Sequence, residues 1–177
     1  MSETPEGKIL LEIVTPKGRA LSEIVDEVTA PAQGGEFGVL PGHLPTLASL
    51  RTGLVTYRKG SEAQKCAVGS GFVEAGASKV LILTDEYITR PSIDPVVVRG
   101  QLAETQAAIA KLEVAAGDSG SAGAEFGALV ATENWLAAQL ELYGDPPPPT
   151  MRPYEEYGPP APVSADELSA DPAAPEA

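Results

Sequence analysis

Apolar positions in the first half of the chain come in short, β-branched runs separated by turn residues. Between residue 8 and about residue 90 they read KILLEIVTP, LSEIVDEVTAP, EFGVLPG, LPTLASL, GLVTYRKG, QKCAVGSG, FVEAG and KVLILTDEYI. Eight short strands at this spacing predict an antiparallel β-sandwich or barrel rather than βαβ units. Alternation is imperfect in LSEIVDEVTAP, where Ile24, Asp26, Val28 and Ala30 share one face and Val25, Glu27 and Thr29 the other. A sheet with one wet face is expected.

From Ile93 the period lengthens. Val98, Leu102, Thr105, Ile109 and Leu112 are spaced 4, 3, 4, 3 along an Ala-rich segment, which predicts a helix running to about residue 116. Asp94 followed by Pro95 reads as its N-cap and first residue: Asp accepts from unpaired helix N–H groups, and Pro forfeits no bond there. GDSGSAGA, residues 117–124, breaks the pattern. A second helix is expected over residues 125–143, with Phe126, Leu129, Leu136 and Leu140 on one side, so the two make an αα-hairpin. After Gly144 the last 33 residues contain 10 of the 17 prolines, seven acidic residues and one arginine. Such sequence lacks the apolar area to offset its ordering entropy and reads as a disordered tail, with polyproline II favoured over 146–149. The division is therefore a β-sandwich over 1–92, a helical hairpin over 93–144 and a Pro-rich acidic tail over 145–177.

Charge narrows the function. Twelve Lys and Arg against 25 Asp and Glu give a formal charge of -13 and a pI near 4.4, so the surface repels phosphate backbones and nucleic-acid binding is not expected. One cysteine, Cys66, and one histidine, His43, build neither a disulfide nor a four-ligand zinc site, and a reducing compartment fits best. The sequence contains neither a run of about 18 apolar residues nor a signal-peptide pattern, so membrane association is expected only through a partner.

A search for catalytic constellations returns little. The chain has no GxxxxGK[ST] loop, GxGxxG helix start, GxSxG elbow or HExxH. A Ser-His-Asp arrangement would need His43, which lies in a Pro-Gly-flanked loop with no marked serine partner. Cys66 in the strand-like QKCAVG is expected to be an inert core residue. Asp26/Glu27 and Asp85/Glu86 are adjacent, so on a strand their side chains diverge and cannot share a proton-transfer task. A binding or structural role follows, with neither metal nor cofactor.

The most informative stretch is APAQGGEFGVLPGHLPTLASLRTGLVTYR, residues 30–58. With LLEIVTPKGRALSEIVDEVTAP before it and GSGFVEAG and VLILTDEYI after it, it resembles the ε subunit of rotary F-type ATP synthases. That family's pattern G-E-x-G-x-x-P-x-H-x-P appears here as Gly35, Glu36, Gly38, Pro41, His43 and Pro45. The resemblance covers residues 8–93 and continues more loosely to about 143. It implies about ten strands in two sheets followed by a helical hairpin. It also implies a non-catalytic subunit of the central stalk, on the cytoplasmic face of a bacterial inner membrane, that couples c-ring rotation to the catalytic sector. The partners implied are the γ subunit, the c-ring and, through the helices, the catalytic α and β subunits. Glu36, Gly38, Pro41, Gly42 and His43 match the family's loop facing the c-ring. Pro-Gly restricts such a loop, so little ordering entropy is lost on docking. A simple hairpin turn with a solvated Glu36 and a backbone-bonded His43 is the plainer reading of the same residues.

Two departures stand out. Many bacterial relatives carry I/L-D-x-x-R-A, a motif associated with ATP binding, whereas this chain has Ile93, Asp94 and then Arg99 five residues after the aspartate. Positions i and i+5 diverge on a helix, so no nucleotide site is expected and Asp94 is left as a cap. Residues 93–144 also contain only Arg99 and Lys111 against seven acidic residues, a net of -5 that opposes docking on acidic catalytic subunits. Inhibition of ATP hydrolysis through these helices is expected to be weak. The alternative from another class is a free-standing sandwich that binds a small ligand, which would need convergent polar and aromatic groups on a concave face.

Overall fold

In the computed structural model, which describes residues 4–116 and 123–147, ten strands precede two helices. The strands are β1 (Ile9–Thr15), β2 (Gly18–Val25), β3 (Glu27–Ala32), β4 (Gly35–Val39), β5 (Thr46–Leu50), β6 (Gly53–Lys59), β7 (Glu62–Val68), β8 (Gly71–Ala75), β9 (Lys79–Thr84) and β10 (Tyr87–Thr89). A 3₁₀ turn, Arg90–Ser92, leads to α1 (Pro95–Ala116), and α2 is Gly123–Tyr143.

Ten strands replace the eight legible runs because two runs each hold a pair. LSEIVDEVTAP divides at Asp26 into β2 and β3. The Asp26 N–H donates to the Arg58 carbonyl at 2.8 Å, Oδ2 accepts the Gly60 N–H at 2.7 Å, and Oδ1 pairs with Lys8. The bend changes the side-chain phase, so Val25 and Val28 both enter the core and the imperfect alternation is accounted for. KVLILTDEYI divides similarly at Asp85 and Glu86, where the Glu86 carbonyl accepts from the Gly69 N–H and the Thr84 hydroxyl.

The strands pair in the order β10-β7-β6-β3-β5-β8-β9-β1-β2, with β4 also on β3. The sheet doubles over at β3. Residues 27–29 of β3 pair with β6, whereas Ala32 pairs with Leu50 of β5, and Pro31, which has no N–H to offer the ladder, sits between them. All pairs are antiparallel except β1 with β9, where Leu10 lies opposite Lys79 and Val14 opposite Leu83. Between the layers pack Ile9, Leu11, Ile13, Val25, Val28, Val55, Val73, Val80 and Ile82 with their neighbours, each nearly or completely shielded from water.

The helices cover one outer face. In β7, Cys66 and Val68 point into the sandwich, while Ala67 between them points outward and joins Ile93, Val98, Leu102, Leu136, Ala138, Leu140 and Leu142. Of the predicted α1 stripe, Val98, Leu102 and Ile109 are buried, and Thr105 and Leu112 are half-buried. In α2 the one-sided stripe gives way after Glu133. Residues 136–140 are buried all round because that half lies between α1 and the sheet. The helix also begins two residues earlier than the sequence pattern suggested. The expected link at 117–122 and the tail from residue 148 lie outside the described residues.

Candidate functional site

The five residues matched to the c-ring loop do not form one turn. Glu36 and Gly38 belong to β4, opposite Pro31 and Thr29 of β3, whereas Pro41, Gly42 and His43 make the connection to β5. Gly42 adopts φ +84°, a left-handed conformation that favours glycine, and donates to the Ala77 carbonyl at 2.7 Å. The His43 N–H closes the turn on the Leu40 carbonyl at 3.1 Å, and its Nδ1 lies 2.7 Å from the Leu44 carbonyl oxygen. The His43 ring meets Phe37 edge to face at 5.4 Å, tying the turn back to β4. Phe37 packs against the core, so Glu36, next to it on the strand, projects to the other side. Its exposed carboxylate makes no hydrogen bond or ion pair among the described residues.

Beside this turn lies a surface the sequence reading missed. Leu40, Leu44 and Leu47 are 58%, 79% and 70% exposed, and the strip continues across the sheet to Phe72 and Leu83, 54% and 46% exposed. The register explains the continuity: Ser49 lies opposite Phe72, and Phe72 opposite Leu83, so Leu47 is the diagonal neighbour of Phe72 on the same face. A surface groove of about 550 Å³ adjoins it, lined in part by Val14, Phe72 and Leu83. The available signal was β9 itself, where residues 80–83 are apolar without alternation, a pattern of strands covered on both faces.

The degenerate nucleotide residues are occupied with other tasks. Ile93 is buried in the helix-facing cluster. Asp94 Oδ1 accepts the N–H groups of Val96 and Val97 at 3.0 and 3.3 Å, as an N-cap does. Arg99 donates from Nε to Asp145 Oδ2 at 2.8 Å and again from Nη2. Cys66 is fully buried, and burial pushes its thiol up to about 12. The adjacent carboxylates diverge as expected: Asp26 goes to Lys8 and Gly60, while Glu27 takes a two-pronged hydrogen bond from Arg58 at 2.8 and 3.1 Å. Hydrogen bonding holds both below the usual carboxylate range, chiefly from Lys8 for Asp26 and from Arg58 for Glu27. Glu86 moves the other way, raised first by burial and then by Asp85. Among the described residues no group of three or more His, Cys, Asp or Glu is placed to hold a metal ion, and no helix is long and apolar enough to cross a membrane.

The family described as ATP synthase, Delta/Epsilon chain, beta-sandwich domain matches residues 8–90. ATP synthase epsilon chain 2 of Syntrophotalea carbinolica is 43% identical over 105 residues, spanning 59% of this chain and 76% of that relative. The chain belongs to the ATP synthase epsilon chain family. The epsilon chain of Syntrophobacter fumaroxidans is 44% identical over 100 residues, covering 56% of this chain and 73% of its own. That of Trichlorobacter lovleyi is 41% identical over 105 residues, covering 59% and 76%. Among solved structures, a chain of the Euglena gracilis mitochondrial ATP synthase, determined as OSCP/F1/c-ring, superposes with a TM-score of 0.55 at 22% identity over 81% of each chain, and so shares the fold. Within an epsilon chain, Leu47, Phe72 and Leu83 are apolar sheet surface that nothing among the described residues covers, unlike the face under α2.

Proposed function

We propose that this epsilon chain is a non-catalytic central-stalk subunit of a proton-translocating ATP synthase, coupling c-ring rotation to the catalytic sector through contacts with γ and the c-ring. The uncovered apolar strip carries the reading. Leu47, Phe72 and Leu83 would dock against γ, because a row of half-exposed large apolar side chains gains most by leaving water in an assembly. The rigid turn at Pro41, Gly42 and His43, with the Glu36 carboxylate, unpaired among the described residues, nearby, would meet the polar loops of the c-ring. The protein would thus sit on the cytoplasmic face of a bacterial inner membrane, attached through the complex. Its helices, with their net charge of -5, would act only weakly on the catalytic subunits.

Mixing the purified chain with γ, and in parallel with the catalytic sector from the same source, tests this reading by calorimetry and ATP hydrolysis. Submicromolar association with γ and little change in hydrolysis is the expected result. Absence of binding refutes the stalk assignment. Strong relief of inhibition on deleting residues 93–177 refutes the weak action of the helices.

A further inference from the structure

The outer face that carries Leu47, Phe72 and Leu83 continues through β9 into β1 and β2, and the register lays its outward side chains in rows. One row runs Ser49, Phe72, Leu83, Val14 and Arg19; the next runs Leu47, Glu74, Leu81, Glu12 and Ser22. The second row holds two carboxylates in opposite circumstances. Glu12 is paired twice, with Lys79 Nζ at 2.6 Å and with Arg19 Nη1 at 3.1 Å. Glu74 is exposed and makes no hydrogen bond or ion pair among the described residues. Its cross-strand neighbours are Leu47 on β5 and Leu81 on β9, and Phe72, two residues earlier on β8, shares its face. Lys79, its diagonal neighbour across β8 and β9, is already committed to Glu12.

A solitary carboxylate costs nothing in water. Under a docked partner it loses its hydration among apolar neighbours, and the two cations beside it on this face, Lys79 and Arg19, are held by Glu12. Resting on the assignment of this strip to γ, we infer that γ sets a cationic side chain over Glu74, within an otherwise apolar docking surface, and that this ion pair fixes how the two proteins align. Leu47, Phe72 and Leu83 supply contact area, which tolerates sliding. A charge pair does not, because displacement strands both charges in a dry interface. Glu74 is therefore the position on the strip that selects among apolar partners, by penalising any that brings no cation to it.

Calorimetry of the full-length chain against γ from the same source tests this with Glu74→Gln and Glu74→Leu, beside Phe72→Ser as the measure of the strip itself. Glu74 is exposed, so thermal melts should show both variants folded like the parent. With a cation opposite, both weaken binding by about thirtyfold or more, since each leaves the charge on γ buried and unpaired. Without one, the sign reverses for leucine: the carboxylate that had to be dehydrated is gone, the apolar strip is unbroken and binding tightens. Tighter binding by Glu74→Leu, or binding by Glu74→Gln within about threefold of the parent, while Phe72→Ser still weakens it, overturns the cation and leaves the γ assignment standing. Phe72→Ser within about threefold of the parent takes the strip out of the γ interface and the inference with it, as would failure of the parent to bind.

Discussion

If the strip docks against γ as proposed, removing Phe72 should weaken partner binding far more than folding. The ring is 54% exposed, and an aromatic side chain presents about 200 Å² in all, so about 110 Å² is available for an interface to bury. At about 25 cal/mol per Å² that area is worth about 2.7 kcal/mol, and Phe72→Ser should weaken binding to γ by about 100-fold. Leu47, 70% exposed, should contribute about 1.5 kcal/mol, that share of the roughly 2.2 kcal/mol that full burial of a leucine side chain is worth, or about tenfold in Leu47→Ser. The two side chains are diagonal neighbours across β5 and β8, so the double variant should fall short of the summed loss. Neither position is in the core, and melting should move by less than the equivalent of about 1 kcal/mol. Isothermal calorimetry against γ, with thermal melts as the folding control, measures both quantities. Variants that bind γ within threefold of the parent while melting normally would refute the assignment of this strip to the γ interface.

Gly71→Ala should destabilise by about 3 kcal/mol, lowering the melting midpoint by roughly 10 °C, because a Cβ there overlaps the Leu83 carbonyl oxygen and comes within 3.0 Å of Thr84 Cα. Both are backbone atoms of β9, which cannot yield cheaply. Gln106→Ala should cost about 1–3 kcal/mol by chemical denaturation: Glu133 is 5% exposed, and among the described residues its Oε1 accepts only from Gln106, at 3.1 Å, and its Oε2 has no partner. Acid should weaken the fold through Glu12, which hydrogen bonds from Lys79 and then Arg19 hold below the usual carboxylate range. The stability it adds is complete above its unfolded pKa and is lost as pH falls through the lowered folded value. Urea midpoints of Glu12→Gln should therefore decline less than those of the parent between about pH 7 and about pH 3.

What could be read in the sequence was whatever depends on local chemistry. Short β-branched runs, Asp94-Pro95 as a helix start and the end of the second helix at residue 143 each report conformations settled within a few residues, and each reappears in the structure. The two merged runs show where that locality fails. Asp26 breaks a strand because Lys8, Arg58 and Gly60, far away in sequence, converge on it, and nothing within LSEIVDEVTAP announces that meeting. The parallel pairing of β1 with β9 and the passage of β3 between layers are likewise decided by packing across the whole sandwich.

The site divides along the same line. His43 and Pro41-Gly42 stood out because turns carry residue signatures, but Leu47, Phe72 and Leu83 come from three strands and align only through the register of β5, β8 and β9. A single large apolar residue at an outward strand position carries no message; three of them on one face do. The chain therefore treats the two outer faces of its sandwich differently. One is closed internally, with Ala67 and Leu54 under α2, and the other, among the described residues, leaves apolar side chains exposed. That asymmetry ties the fold to the proposed function: hydrophobic surface left open on a small, strongly acidic protein is an energetic cost that assembly with a partner offsets.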